Sequence, residues 1–257
     1  MGAARGSERS TGYEPLGVLK PVCKGLWVID GPAEGAGLVP LPARTAVVQL
    51  GCGGLWVHGP GPLNAGLAEV LRALGPVRHL IAPNLTPRPH LPGWQAAFPG
   101  ARLWAPEGSG LDGSLLGPEA PPEWASDMEQ ILVDGSPRYR EAVFHHRSAA
   151  ALIASDLIHA IETAKLPVWQ RPLIWLRGVD DTDPAMPRKL RNACRDSAAL
   201  GAAVERMVAL RPRRLVLSHG RLYDVGAASV LERCFRKLLR EQRWTQALKD
   251  LDDKAAR

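Results

Sequence analysis

The sequence predicts a four-layer αββα sandwich, in which two mixed β-sheets pack face to face and carry helices on their outer sides. Three observations lead there. Hairpins occur in two separate regions, the first of them Gly-rich, and a hairpin makes its strands antiparallel neighbours, so a doubly wound parallel sheet fits less well. Segments run as hairpins, helix–strand units, hairpins again, then helix–strand–helix, which divides the strands between two sheets. Finally, 257 residues with 46% hydrophobic content suit one large α/β domain or two small ones.

Each element follows from its own pattern. LWVID (Leu26 to Asp30) and TAVVQL (Thr45 to Leu50) are rich in β-formers. The second runs through GCGG into LWVHGP, a hairpin whose glycines tolerate positive φ. LNAGLAEVLRAL has Leu63, Leu67, Val70, Leu71 and Leu74 on a helical stripe, stopped by Gly75-Pro76. HLIAPN (His79 to Asn84) reads as a short strand opened by His79. A Pro-rich loop, LTPRPHLPG, then leads to a short helix around WQAAF and a strand in ARLWAP (Ala101 to Pro106). Residues 107–126 are rich in Gly, Pro and Ser and read as a long surface excursion.

After ILV and DGSPRYR, the runs AVFHH and ALIAS form a second hairpin across Arg147-Ser148. SDLIHAIETA is expected to start a helix or lid, and RPLIWLRG to pack on the core. One long helix fits Pro187 to Leu210, with Leu190, Cys194, Ala198, Val204, Met207 and Val208 inward. RRLVLSHG is the last strand. Asp224 is placed to cap a C-terminal amphipathic helix carrying Val230, Leu231, Phe235, Leu238 and Leu239.

The bulk numbers exclude several classes. The first twelve residues, MGAARGSERSTG, are polar and basic and are expected to form a disordered tail before a single domain over 13–257. They lack the apolar stretch of a secretory signal. No apolar run approaches the ~20 residues of a bilayer span. The expected location is cytoplasmic, with no membrane partner. Cys23, Cys52, Cys194 and Cys234 lie far apart without a CxxC pair, against a zinc ribbon, a thioredoxin motif or a disulfide framework; buried free thiols are expected. There is no GxGxxG and no GxxxxGK[ST], and GCGG lies inside a hairpin rather than at a helix start. A net charge of +6 and a pI near 9.4 raise nucleic acid as a partner, but the arginines of the last third read first as solvated helix faces, with no interleaved aromatic platform of the kind single-strand binding wants.

The polar residues that could carry chemistry sit at strand ends. LVLSHG delivers His219 into a Gly turn. Asp156 follows ALIAS, where it could cap a helix of LIHAIETA, pair with His219 as a metal-free staple or oriented base, or bind a metal. His159, three residues on, would share the Asp156 face of such a helix. His145 and His146 are adjacent on a strand and so diverge, one toward solvent and one toward a polar partner. Ser218 has no nucleophile elbow around it. The eight tryptophans are read mostly as core or interface packing; Trp94 and Trp124, beside loops, could line a pocket, though burial is the first reading.

GYEPLGVLKPVCKGLWVIDGP, RTAVVQLGCGGLWVHGP, LGPVRHLIAPN, AAFPGARLWAPEG and ASDLI together resemble a bacterial domain-of-unknown-function family that is itself similar to the metallo-β-lactamase-fold hydrolases. The resemblance spans about Tyr13 to Tyr223. It implies the αββα fold and a site at the strand ends. Such hydrolases carry HxHxDH after a strand, a later GH turn, an Asp at another strand end and a final strand-end His, which together hold a metal-bound water ionised near neutral pH. The matching loop here is Asn84 to His90, with no His-x-His, and Gly135-Ser136 stands at the GH turn. Asp156 matches the carboxylate and His219 the last histidine, with His90 as a third metal candidate. His58, Asn84 and Trp94 are expected around the pocket.

The resemblance therefore implies a metallo-β-lactamase-fold protein with an eroded metal site, a non-catalytic or altered binder of a small molecule or protein. No cofactor is expected on that reading. The alternative is a hydrolase of an ester, thioester or phosphoester holding a single zinc or iron, with Asp156 and His219 as catalytic residues and Asp156, His219 and His90 as ligands. A second alternative is an RNA-associated protein using the basic C-terminal third.

Overall fold

The structure is a computed structural model that describes residues 11–34 and 41–255. Most of the tail expected over 1–12 lies outside the described residues. The first sheet has seven strands in sequence order: β1 (Lys20–Cys23), β2 (Leu26–Glu34), β3 (Leu41–Gln49), β4 (Leu55–His58), β5 (Val77–Ile81), β6 (Arg102–Ala105) and β7 (Ser114–Leu115). Pairing is antiparallel from β1 to β4 and parallel from β4 to β7. The second sheet comprises β8 (Met128–Ser136), β9 (Tyr139–His146), β10 (Ala151–Ala154) and β11 (Arg214–Leu217), in the order β11-β10-β9-β8, with only β10 and β11 parallel.

Three apolar cores bind four layers. Ile29, Val47, Leu55, Val57 and Leu80 pack on α1 (Ala65–Leu74) and α2 (Leu91–Ala97). Between the sheets, Val28, Val48, Trp56 and Trp104 meet Met128, Phe144, Ile153 and Val216. Outside the second sheet, Ile131, Val143, Leu152 and Leu215 meet α5 (Ser197–Ala209), α6 (Ala227–Cys234) and α7 (Arg236–Ala255), while α3 (Arg171–Arg177) and α4 (Arg188–Ala193) are short helices between β10 and α5. Alternation drives this division: on β10, Ala151 and Ile153 enter the inter-sheet core and Leu152 and Ala154 the helix-covered one. The predicted αββα sandwich is thus present. Among the described residues no helix is long and apolar enough to cross a membrane.

Several elements differ from expectation. SDLIHAIETA is not a helix: Ile161 forms a bridge to Asp180, His159 to Ala185 and Ala160 to Gly220, so its backbone pairs with distant chain and not with itself. The long helix over 187–210 breaks at Cys194, because the amides of Arg195 and Asp196 both donate to the Gly135 carbonyl (3.0 and 3.2 Å), and Asp196 then caps α5 by accepting from Ala199. Asp224 caps nothing. It binds Arg214 at 2.6 Å, and the left-handed Gly226 starts α6 instead. Within the 107–126 excursion, Leu116 and Trp124 are buried in the inter-sheet core. The four cysteines are free but none is fully buried, and Cys52 is exposed. His79 lies within β5, not at its start, accepting from Trp104 Nε1 at 3.1 Å. Neither His145 nor His146 meets solvent; His146 contacts Ser148.

Candidate functional site

The C-terminal ends of β4, β5, β10 and β11 lie along one edge of the sandwich and deliver His58, Asn84, Asp156 and His219. The register β10–β11, with Ala154 opposite Leu217, sets Asp156 and His219 two residues beyond a paired position on each strand. His219 Nε2 lies 3.0 Å from Asp156 Oδ1, and its Nδ1 lies 2.9 Å from the Pro42 carbonyl. Both neighbours can only accept, so both ring nitrogens carry hydrogen and the ring is an imidazolium. Gly220 makes this turn possible. Its φ is +99°, and a Cβ there would overlap the Ala160 carbonyl oxygen.

Asp156 Oδ2 accepts from Asn84 Nδ2 (2.9 Å) and Thr86 Oγ1 (2.7 Å). Burial by itself pushes this carboxyl up, but the imidazoles of His159 and His219 outweigh it and hold Asp156 well below the usual carboxylate range. For His219, burial pulls downward, yet the Asp156 carboxylate and the Pro42 carbonyl prevail and raise it. Beneath lies Glu141, wholly buried on β9, which accepts from the amides of Ser155 (2.8 Å), Asp156 (3.0 Å) and Leu157 (3.2 Å). Burial first, and the Asp156 charge second, push Glu141 up to about 7, against the pull of those amides and of Asn84. Arg88 donates to Asn84 Oδ1 (2.8 Å) and Ser155 Oγ (3.3 Å), while its buried Nε has no partner.

His159 lies at the margin of this network, near enough to act on the Asp156 carboxylate but not bonded to it. Its Nε2 is buried, unpartnered and 4.0 Å from Asp156 Oδ1, beyond hydrogen-bond reach. Burial foremost, with the charges of His219 and Arg177, pulls its imidazole below the usual histidine range against the upward pull of Asp156. Among the described residues, Asp156, His159 and His219 are the group whose donor atoms could hold a metal, all within 4.8 Å of one another. Two imidazoles and a carboxylate are the donor set of single-ion sites for zinc or iron. The set fits such an ion once the proton on His219 Nε2 leaves.

His90 is not in that group. It precedes α2 and faces Glu34 Oε1 at 3.0 Å. It does border, with His219, Arg44, Arg88 and Glu34, a cleft of about 40 Å³. That is room for a few waters or a small ion, an order of magnitude below the ~300–1,000 Å³ of ordinary ligand pockets. His58 is buried at the end of β4, stacked on Trp56. Trp94 stands behind the cleft wall, fully buried, with Nε1 donating to the Gly61 carbonyl at 2.7 Å.

Sequence reasoning places Thr86 and Arg88 in the matching loop without a role, and does not single out Glu141 or Arg44. Glu141 was open to notice as the one acid in the apolar strand YREAVFHH, since a buried carboxylate demands donors. Arg44, buried on β3, donates to Asp30 (2.8 Å) and to the carbonyls of Leu217 and Gly220, binding the first sheet to the His219 turn. Nothing local to Arg44 marks that role.

No protein-family model and no curated protein matches the sequence. Solved structures do match. The DIM-1 metallo-β-lactamase exposed to ceftazidime shares 11% identity at a TM-score of 0.58, over 87% of this chain and 98% of its own. FIM-1 from Pseudomonas aeruginosa, in a mono-zinc form, shares 12% at 0.59, over 87% and 95%. A metallo-β-lactamase from Erythrobacter litoralis with β-mercaptoethanol in its active site shares 14% at 0.61, over 86% and 95%. At such identities the likeness concerns architecture, and the conclusion is architectural: this chain has the metallo-β-lactamase fold.

Proposed function

We propose that this chain is an altered metallo-β-lactamase-fold protein, of the bacterial family its segments resemble, which binds a small molecule or protein at the Asp156 edge without a metal centre. The observation that carries this reading is the saturation of Asp156. Its two oxygens are taken by Asn84, Thr86 and the His219 imidazolium. Positions 84, 86 and 88 have the spacing of the His, His and Asp of HxHxDH, and here they are Asn, Thr and Arg. Two of them donate to Asp156, and the third brings a fixed cation where the motif has a carboxylate. His219 thus balances the charge of Asp156, the task a metal has elsewhere, while Arg88 is tied to the same loops through Asn84 and Ser155. Ser136, at the GH turn, spends its hydroxyl on the Ala193 carbonyl at 2.7 Å. On this reading the working unit is one domain, residues 13–257, in the cytoplasm. Protein purified without a His-tag or chelator is expected to contain no stoichiometric zinc, iron or manganese after dialysis against each; stoichiometric uptake would overturn the reading.

A second reading rests on the buried, unpartnered Nε2 of His159. Asp156, His159 and His219 would hold one zinc or iron, which supplies an activated water for an ester, thioester or phosphoester. Asp156→Ala should then abolish metal and turnover together, and unchanged metal content in that variant dismisses the idea.

A further inference from the structure

Away from this edge, α6 and α7 enclose a groove of about 350 Å³ into which four arginines project: Arg233, Arg236, Arg240 and Arg243. We infer that this groove binds single-stranded nucleic acid, with the arginines on phosphates and Trp244 as a stacking platform. On α7 the positions 236, 240 and 243 fall within about 60° of arc at 100° per residue, over a length of about 10 Å. Trp244 follows about 40° beyond Arg240 on the same side, and at 68% exposed it supplies the aromatic platform that the sequence was not expected to offer.

The ordinary alternative is a solvated basic helix face, and crowding is what opposes it. Single arginines without a carboxylate also occur elsewhere on the surface, Arg78 and Arg138 among them, but here four line one groove, none holds a carboxylate among the described residues, and Glu241 pairs with Lys237. Glu232 is the single carboxylate in the lining. Like charges three and four residues apart also destabilise a helix, so the stripe is a cost to α7 that folding does not explain. Adjacent guanidiniums with an exposed indole suit a chain of phosphates carrying unstacked bases. A purely ionic ligand would leave the indole without a role. The site shares no residue with the Asp156 edge and stands or falls independently of it.

Fluorescence anisotropy of labelled oligo(U) and oligo(dT) against the full chain tests this. Arg236→Gln, Arg240→Gln and Arg243→Gln combined keep helix propensity; they should weaken binding at least tenfold at low salt. The slope of log affinity against log salt should flatten by about 2, at roughly 0.7 per lost phosphate contact. A control of equal net charge, Arg78→Gln, Arg138→Gln and Arg188→Gln, should keep the slope. Trp244→Ala should weaken binding by about five- to a hundredfold and remove fluorescence quenching on binding. No binding of either oligonucleotide at low salt, equal losses in the two triple variants, or binding confined to anionic vesicles would each overturn the proposal.

Discussion

Burial decides the charge of His58. Desolvation, helped by the Arg88 cation, pulls its imidazole down to about 3, and the ring is packed between Trp56 and Phe144. His79, against Trp104 and Trp124, is pulled down to about 4 by burial foremost. Each has a folded value below the unfolded one of about 6.5. Their contribution to stability is therefore full above pH ~6.5 and is lost as pH falls toward the folded values, because the unfolded chain takes the protons. His219 acts oppositely: raised, it stabilises below pH ~6.5 and loses that contribution as pH rises through its folded value. His58→Phe keeps the ring contacts and is expected to shrink the drop in urea midpoint between pH 7 and pH 5. An undiminished drop would show that other groups titrate. At this scale the sequence was only partly legible. Asp156 and His219 stand out as polar residues ending apolar strands, and the resemblance sets the loop Asn84 to His90 beside them, but nothing in LTPRPH shows that Thr86 donates to Asp156 or Arg88 to Ser155.

Strand ends and the turns after them hold the site together. β10 and β11 run parallel, so their C-terminal turns are adjacent, and the Gly220 turn lies against Ala160 in the segment after Asp156. Gly220→Ala would meet both a forbidden φ and the Ala160 carbonyl. The expected cost is at least about 3 kcal/mol, with loss of the His219–Asp156 contact, readable as a lowered urea midpoint and a shifted His219 ring resonance. A near-parental midpoint would show that the turn can relax. Local pattern predicted β2, β3, β4 and α1 well, because their partners are close in sequence and their apolar spacing is unambiguous. It failed for SDLIHAIETA, whose apolar spacing suits a helix but whose backbone bridges go to residues 19 to 60 positions away. It failed again at Cys194–Asp196, where the Gly135 carbonyl interrupts an otherwise good helix.

Across the whole molecule, the inter-sheet core is closed by a residue from the stretch that looked most like surface. Trp124 is fully buried, edge-on to Trp56, Trp104 and His79. Trp124→Ala should cost about 3–5 kcal/mol by cavity formation, measured by urea denaturation; a loss below about 1 kcal/mol would place residues 107–126 outside the cooperative core. The sequence by itself determined the layer architecture, because alternation along strands and stripes along helices are local properties that dictate which faces must be covered. It also determined that polar groups would gather at the strand ends. Only the tertiary structure decided which of them meet: Asp156 with Asn84, Thr86 and His219, His159 near but unpartnered, and His90 drawn to Glu34. Those pairings depend on sheet register and on loops anchored by distant carbonyls, and no local pattern encodes a distance between residues 63 positions apart.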